Sequence, residues 1–201
     1  MIVTMAIVSA VVAVVIRITL PENPNDRART DAAADELSDL AQAMAGREPS
    51  RAPTSFRQVI GAYPSKLSQL TTKIVGGVDK GICNITPYST AASPATPVPP
   101  GYAVNWTKPF YYRQLRTDGT ITARGFTVND ALVLIGPTPS GTLGSNGATI
   151  MAMRLPSVTL RDAEALDLSV DGALSGTQGI IRYNNAIDPT SVDYYIYISG
   201  C

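Results

Sequence analysis

The sequence contains no histidine and only two cysteines, Cys83 and Cys201. Without histidine, Ser-His-Asp and Cys-His catalysis are excluded, and so is every zinc site with a histidine ligand. Two thiolates cannot complete a four-cysteine zinc site. Any catalytic residues would have to be carboxylates, Lys, Ser or Tyr, and nothing clusters these in the sequence. We therefore assign no catalytic residue, metal ligand or cofactor, and we expect a protein that is not an enzyme.

An excess of charge of either sign is also missing. Sixteen Lys and Arg balance sixteen Asp and Glu, and no long block of like charge interrupts the chain. Nucleic-acid-binding domains usually carry a basic excess, so no nucleic-acid partner is predicted. A chain of 201 residues has room for one membrane anchor and one domain with its own core.

The two cysteines are expected to form a disulfide between Cys83 and Cys201. Such a bond is typical of an oxidising compartment outside the cytoplasm. In the chain-entropy model, closing so long a loop contributes about 4 to 5 kcal/mol. Two unpaired buried thiols are the alternative, and the sequence leaves open whether the bond joins one chain or two.

A run of uncharged, mostly apolar residues occupies positions 1–16 and ends at Arg17. A helix of this length is about 24 Å long, whereas the hydrocarbon core of a bilayer is about 30 Å thick. A cleavable secretory signal would begin with a positive charge, which residues 1–4 lack. A short membrane anchor is therefore favoured over a signal peptide or a buried core helix.

A second helix is predicted from a cap at Asn25 or Asp26 to about Ala45. Its apolar positions recur at helical spacing, at Leu37, Leu40, Ala41 and Met44. Acidic residues are expected on the opposite side, at Asp35, Glu36 and Asp39. Before this helix, Pro21 and Pro24 predict a helix break with a non-helical segment near residues 17–26, although they could simply end an anchor.

Shorter elements follow. Thr54 is a candidate cap for a helix over residues 55–60, and residues 63–70 predict a turn with one or two helical turns. Residues 76–101 are rich in Gly, Ser, Thr and Pro and predict an extended surface loop.

From residue 110 the apolar period changes to two. Residues 110–116 and 121–125 flank Asp118-Gly119 and predict a hairpin. Further strands are predicted at residues 131–135, 148–153, 179–183 and 192–198. In the last of these, Val192, Tyr194 and Ile196 alternate with more polar residues.

Helices followed by strands predict an α+β fold, with a long N-terminal apolar helix as spine and a C-terminal head containing an antiparallel sheet. The predicted parts are the apolar helix and proline break (1–26), the amphipathic and short helices (27–75), the Gly/Ser/Thr/Pro-rich loop (76–109) and the β-rich head (110–201).

Three segments carry a resemblance to a known family. Residues 1–9 read Met-Ile-Val-Thr-Met-Ala-Ile-Val-Ser, residues 61–70 contain Gly-Ala-Tyr-Pro-Ser-Lys-Leu-Ser-Gln-Leu, and residues 104–111 read Val-Asn-Trp-Thr-Lys-Pro-Phe-Tyr. In this order they resemble type IV pilins and the related pseudopilins of type II secretion systems. The family's leader ending in glycine and its early glutamate are missing, and in register the glutamate would fall immediately before Met1. We expect the natural chain to begin a few residues earlier, and the alternative is a protein that reaches the membrane without leader-peptidase processing.

The resemblance implies a structural subunit whose N-terminal helix first lies in the inner membrane and then packs with copies of itself in an extracellular filament at the cell surface. Small residues in the run permit close helix packing. The residues assigned to membrane insertion and helix packing are Met1, Ile2, Val3, Met5, Ala6, Ile7, Val8, Ser9, Ala10, Val11, Val12, Ala13, Val14, Val15 and Ile16.

The implied partners are other copies of the chain and the pilus or secretion assembly machinery. A minor pseudopilin of a secretion system is the alternative within the family. A membrane-anchored periplasmic binding module or enzyme is the alternative from another class.

The Ser/Thr/Pro segment is a candidate for modification, and four aspartates are candidates for metal binding. The resemblance permits O-linked sugar in the Ser/Thr/Pro segment, at Ser89, Thr90, Ser93 and Thr96, with an unmodified loop as the favoured alternative. Aspartates at 167, 171, 188 and 193 offer oxygen ligands for calcium, but they lack the spacing of an EF-hand loop, so no metal is assigned.

Overall fold

The computed structural model describes residues 24–46, 55–97, 100–112, 120–135 and 149–198. The helices are α1 (Pro24–Ala45), α2 (Phe56–Ile60), α3 (Ser68–Thr71) and α4 (Leu160–Asp171), with a 3₁₀ turn at Ala103–Asn105. The strands are β1 (Ile121–Ala123), β2 (Phe126–Val128), β3 (Val133–Ile135), β4 (Thr149–Val158), β5 (Ile181–Arg182) and β6 (Thr190–Ile198). The predicted α+β class, with a long N-terminal helix and antiparallel strands after it, is confirmed.

Helix α1 is amphipathic, and its predicted apolar stripe is confirmed. Four predicted positions and three others at compatible spacing are buried: Thr30, Ala33, Ala34, Leu37, Leu40, Ala41 and Met44. The prediction that Glu36 faces solvent is wrong, because this side chain is only 3 % exposed. The Tyr111 hydroxyl donates to its carboxylate at 3.0 Å, which offsets part of the cost of burying it.

The start of α1 differs from the prediction. Pro24, Asn25 and Asp26 are all helical, so neither Asn25 nor Asp26 is an N-cap, and the non-helical segment does not extend to residue 26. Proline is tolerated in a first helical turn, because its missing N–H has no intrahelical acceptor there. The break predicted at Pro21 lies outside the described residues.

Helix α2 is capped by Ser55, not by Thr54. The Ser55 hydroxyl accepts from the Gln58 N–H, and the Gln58 side chain accepts from the Ser55 N–H. This reciprocal capping box satisfies two N–H groups that a short helix would otherwise leave without partners.

Four strands form an antiparallel sheet in the order β3-β4-β6-β5. Pairing of the two longest strands brings Met151 opposite Ile196 and Met153 opposite Tyr194 on the face that joins the core. The predicted alternation in β6 is confirmed, since Val192, Tyr194, Ile196 and Ile198 are buried between half-buried neighbours. This alternation fixes which face of the strand meets the core.

A separate hairpin joins β1 to β2 through Arg124 and Gly125, which both have positive φ angles of 47° and 99°. A two-residue turn of this kind matches the twist of the flanking strands. The partner predicted for residues 121–125 was the stretch 110–116. Residues 110–112 are not in a strand, so that part of the prediction is wrong, and the Asp118-Gly119 turn lies outside the described residues.

Helix α4, which connects β4 to β5, was not predicted. Its Thr159 cap accepts from the Asp162 N–H at 3.1 Å, and Gly172 ends it in the left-handed conformation. It packs against α1 and buries Ala163 and Leu166 in the shared core. The first and last helices of the described chain, α1 and α4, therefore pack together as one helix layer.

The segment predicted as a surface loop contributes to the core. Tyr88 is 1 % exposed and stacks edge-on against Phe56, with ring centroids 6.2 Å apart. Trp106 is also buried and donates its indole N–H to the Gln69 carbonyl at 3.0 Å. The large apolar area of aromatic rings explains how a Gly- and Pro-rich segment is held in place.

Candidate functional site

The N-terminal end of α1 extends beyond the core. Pro24, Asn25, Arg27 and Ala28 are exposed, whereas burial begins at Thr30. The predicted helix-packing residues at positions 1–16 lie outside the described part of the chain. Among the residues that the structure describes, no helix has both the length and the apolar composition needed to cross a bilayer.

Polar contacts hold α1 against the rest of the head. Arg29 forms an ion pair with Asp162 of α4 at 2.6 Å, and its guanidinium lies 5.0 Å from the centroid of the Phe126 ring. Two residues further along α1, Asp31 accepts a hydrogen bond from the Ser169 hydroxyl of α4 at 2.9 Å. These contacts fix the rotation of α1 about its axis, which determines the side that it presents to solvent.

A cavity of about 210 Å³ lies beside this ion pair. Its wall combines the β1–β2 turn with the end of β4, where the register shifts and Ser157 has a φ angle of 55°. A shift of this kind is a β-bulge, which bends the strand. The hydroxyl of Thr159 and the carboxylate of Asp162 in the wall already have partners, and no nucleophile paired with a base lines the cavity.

A second polar group, formed by Asp167 and its neighbours, is buried between α4 and the loop before β5. Asp167 accepts hydrogen bonds from the Ser175 N–H at 2.6 Å and the Tyr183 hydroxyl at 3.3 Å. Burial raises the pKa of the Asp167 carboxyl, and burial next to Asp167 raises the pKa of Tyr183 to about 12. Asp171 accepts from the N–H groups of Ile180 and Ile181. Both carboxylates hold the loop to the helix.

The other two aspartates considered as calcium ligands have structural partners elsewhere. Asp188 accepts from the N–H of Leu160 at the start of α4. Asp193 forms a two-point ion pair with Arg154 at 2.7 and 2.8 Å. Within the described ranges, no three Asp, Glu, Cys or His side chains are arranged to hold a metal ion.

Cys83 packs half-buried against the core and is disulfide-bonded, so it is not a free thiol. Its predicted partner, Cys201, lies outside the described residues. The pairing of these two cysteines stays a prediction.

The four predicted glycosylation positions differ in their surroundings. Thr90 and Thr96 are exposed, whereas Ser89 and Ser93 are half-buried. The Ser89 hydroxyl accepts from the Ala91 N–H, and the Ser93 hydroxyl accepts from the Asn105 amide. Access for a sugar-transferring enzyme is therefore better at the two threonines.

Sequence reasoning missed α4 and the Asp167 group. The signals for α4 were present: a threonine cap, apolar residues at 160, 163, 166 and 170, and a glycine at the end. The contact between Asp167 and Tyr183 had no such signal, since it depends on how the loop folds back.

No family model, curated protein or solved structure matches the chain.

Proposed function

We propose that this chain is a structural subunit that polymerises through its N-terminal helix into an extracellular filament like a type IV pilus. The single observation that supports this most directly is the position of α1. Its stripe from Thr30 to Met44 is buried in the head, while its N-terminal turn is exposed and leads toward the uncharged run at 1–16.

The two segments, α1 and the run at 1–16, need different surroundings, and this difference supports the proposal. An amphipathic helix packs one side against a core and exposes the other, as α1 does. The run at 1–16 has no charged side chain, and Thr4 and Ser9 are its only polar ones, so it has no side suited to water and needs lipid or other apolar helices around it. Small residues such as Ala6, Ala10 and Ala13 suit close packing among identical helices.

The proposal is tested on cells that produce the full chain. Shearing should release filaments in which mass spectrometry identifies this protein as a main component. Val8→Lys places a charge in the middle of the apolar run and should abolish the filaments, whereas the conservative Val8→Ile should leave them intact. Recovery of wild-type protein only as a membrane-bound monomer would overturn the proposal and favour an anchored periplasmic module.

A further inference from the structure

The charges of this neutral chain are strongly separated along its length. Residues 49–117 carry eight of the sixteen basic residues but only one acidic residue, Asp79. The remainder carries the other eight basic residues and fifteen acidic ones. Such a distribution gives the folded chain regions of opposite potential even though its net charge is zero.

All four lysines of the chain surround α3. We call Lys66, Lys73, Lys80 and Lys108 the lysine cluster, and all four are exposed. The first two lie two residues before and two residues after this helix.

Hydrogen bonds to α3 bring the other two lysines to the same place. The Lys80 carbonyl accepts from the Gln69 side chain at 3.1 Å. Lys108 lies two residues before Phe110, whose N–H donates to the Leu70 carbonyl at 2.8 Å. The four lysines therefore lie on chain segments that flank α3 or are hydrogen-bonded to it.

Two carboxylates lie in the same region, and both already accept backbone hydrogen bonds. Asp79 accepts from the Val75 N–H at 2.6 Å, and Asp130 accepts from the Ser68 N–H at 2.7 Å. Across the described residues, neither forms an ion pair with a lysine of the cluster. The region retains a net positive charge.

The complementary surface is the exposed side of α1. Asp31, Asp35 and Asp39 recur every four residues, so they form a single row, which we call the acidic ridge. All three are exposed. Asp31 accepts from Ser169, whereas Asp35 and Asp39 have no ion-pair partner in the described part of the chain.

We infer that the acidic ridge of one copy contacts the lysine cluster of a second copy. This inference rests on the proposed function and names the head contact in the filament. Among the described residues the two surfaces form no ion pair with each other. A contact between two different surfaces of identical subunits builds either a closed ring or an open helical filament, and the proposed function requires the open form. Complementary charge orients the subunits and speeds their encounter more than it adds affinity.

Zero-length cross-linking tests the contact directly. Full-length protein with natural nitrogen is mixed with ¹⁵N-labelled protein in mild detergent and treated with a water-soluble carbodiimide, which joins a carboxyl to an amine in contact. We expect mixed-isotope peptides that link Lys66, Lys73, Lys80 or Lys108 to Asp35 or Asp39. Their yield should fall roughly fivefold when salt is raised from about 20 mM to about 500 mM, because exposed charges are then screened. If every cross-linked pair of peptides carries the same nitrogen isotope, the inference is overturned.

Charge reversal provides the matched control. Lys73→Glu with Lys108→Glu should lower the yield of cross-linked dimer roughly tenfold, and adding Asp35→Lys with Asp39→Lys should restore it to within about twofold. Reversal of two exposed arginines elsewhere, Arg124→Glu with Arg161→Glu, should leave the yield unchanged. If the lysine variant behaves like the arginine control while wild-type filaments form, the inference fails and the proposed function stands. Absence of wild-type filaments overturns the proposed function instead.

Discussion

The guanidinium of Arg29 on α1 donates a 2.6 Å hydrogen bond to the carboxylate of Asp162 on α4, across 133 positions of sequence. The Phe126 ring lies beside the same guanidinium, with its centroid 5.0 Å away. The contact joins the N-terminal helix to the C-terminal half of the head. It therefore helps to orient α1, which follows in sequence the run through which assembly is proposed to occur.

Replacing Arg29 by alanine should destabilise the head only modestly. The two side chains of the ion pair are 40 % and 21 % exposed, so solvent screens them, and we expect a loss of about 1 kcal/mol that includes the ring contact. Urea unfolding followed by fluorescence of Trp106, the single tryptophan, measures this loss. Arg27→Ala, at an exposed position of the same helix, should change the free energy of unfolding by less than about 0.5 kcal/mol. Equal losses in the two variants would contradict the role given to the contact.

Replacing Leu37 by alanine should have a larger effect. Leu37 is fully buried in the stripe of α1, and truncating such a leucine costs about 2 to 5 kcal/mol through lost apolar burial and the cavity left behind. Ser38→Ala, at the neighbouring exposed position, serves as control and should be close to neutral. The same urea titration compares the two. A Leu37→Ala variant as stable as Ser38→Ala would show that α1 is not docked as described.

Gly179 and Gly172 form a matched pair for separating backbone strain from steric conflict. Both have positive φ angles, 92° and 72°, so alanine is strained at either position by about 1 kcal/mol. A methyl group at Gly179 would collide with the Asp171 carboxylate, whereas at Gly172 it would meet open space.

We therefore expect Gly179→Ala to cost at least about 1 kcal/mol more than Gly172→Ala, because the Asp171 hydrogen bonds to the loop must also shift. Thermal unfolding of both variants gives the comparison. Equal melting temperatures would contradict the close packing of this loop on α4.

Because the carboxyl of Asp167 is buried, the free energy of unfolding should depend on pH. Burial raises its pKa in the folded protein, so the fold favours the protonated form. The resulting stabilisation is fully present below the unfolded pKa of about 3.9 and is lost as the pH rises through the higher folded value.

The free energy of unfolding of wild type minus that of Asp167→Asn should therefore fall as the pH is raised from about 4 toward 7. Urea titrations of both proteins across this range measure the difference. A difference that rises with pH would mean that the folded protein favours the ionised carboxylate.

Periodic patterns in the sequence were enough to predict the buried stripe of α1 and the alternation in β6. Each follows from local geometry, since one face of the element must meet a core. Glu36 was assigned to the wrong side because its partner, Tyr111, is 75 positions away. Helix α4 was not predicted, although its threonine cap and its apolar residues at helical spacing are visible in the sequence.

The lysine cluster and the acidic ridge were less predictable from the sequence than the fold. A sequence shows that eight basic residues lie between positions 49 and 117, but only the hydrogen bonds to α3 show that the segments of Lys80 and Lys108 lie against the helix that Lys66 and Lys73 flank. Likewise, the spacing of Asp35 and Asp39 predicts a common side of a helix, but not that this side stays uncovered.

The most direct test of the central claim is electron microscopy of surface filaments from cells producing the full chain, labelled with antibody against the folded head. If the protein is the structural subunit, label should appear at regular intervals along the whole filament. The Val8→Lys variant should then give no filaments. Filaments without label, together with the protein recovered as a stable monomer in the membrane fraction, would contradict the account.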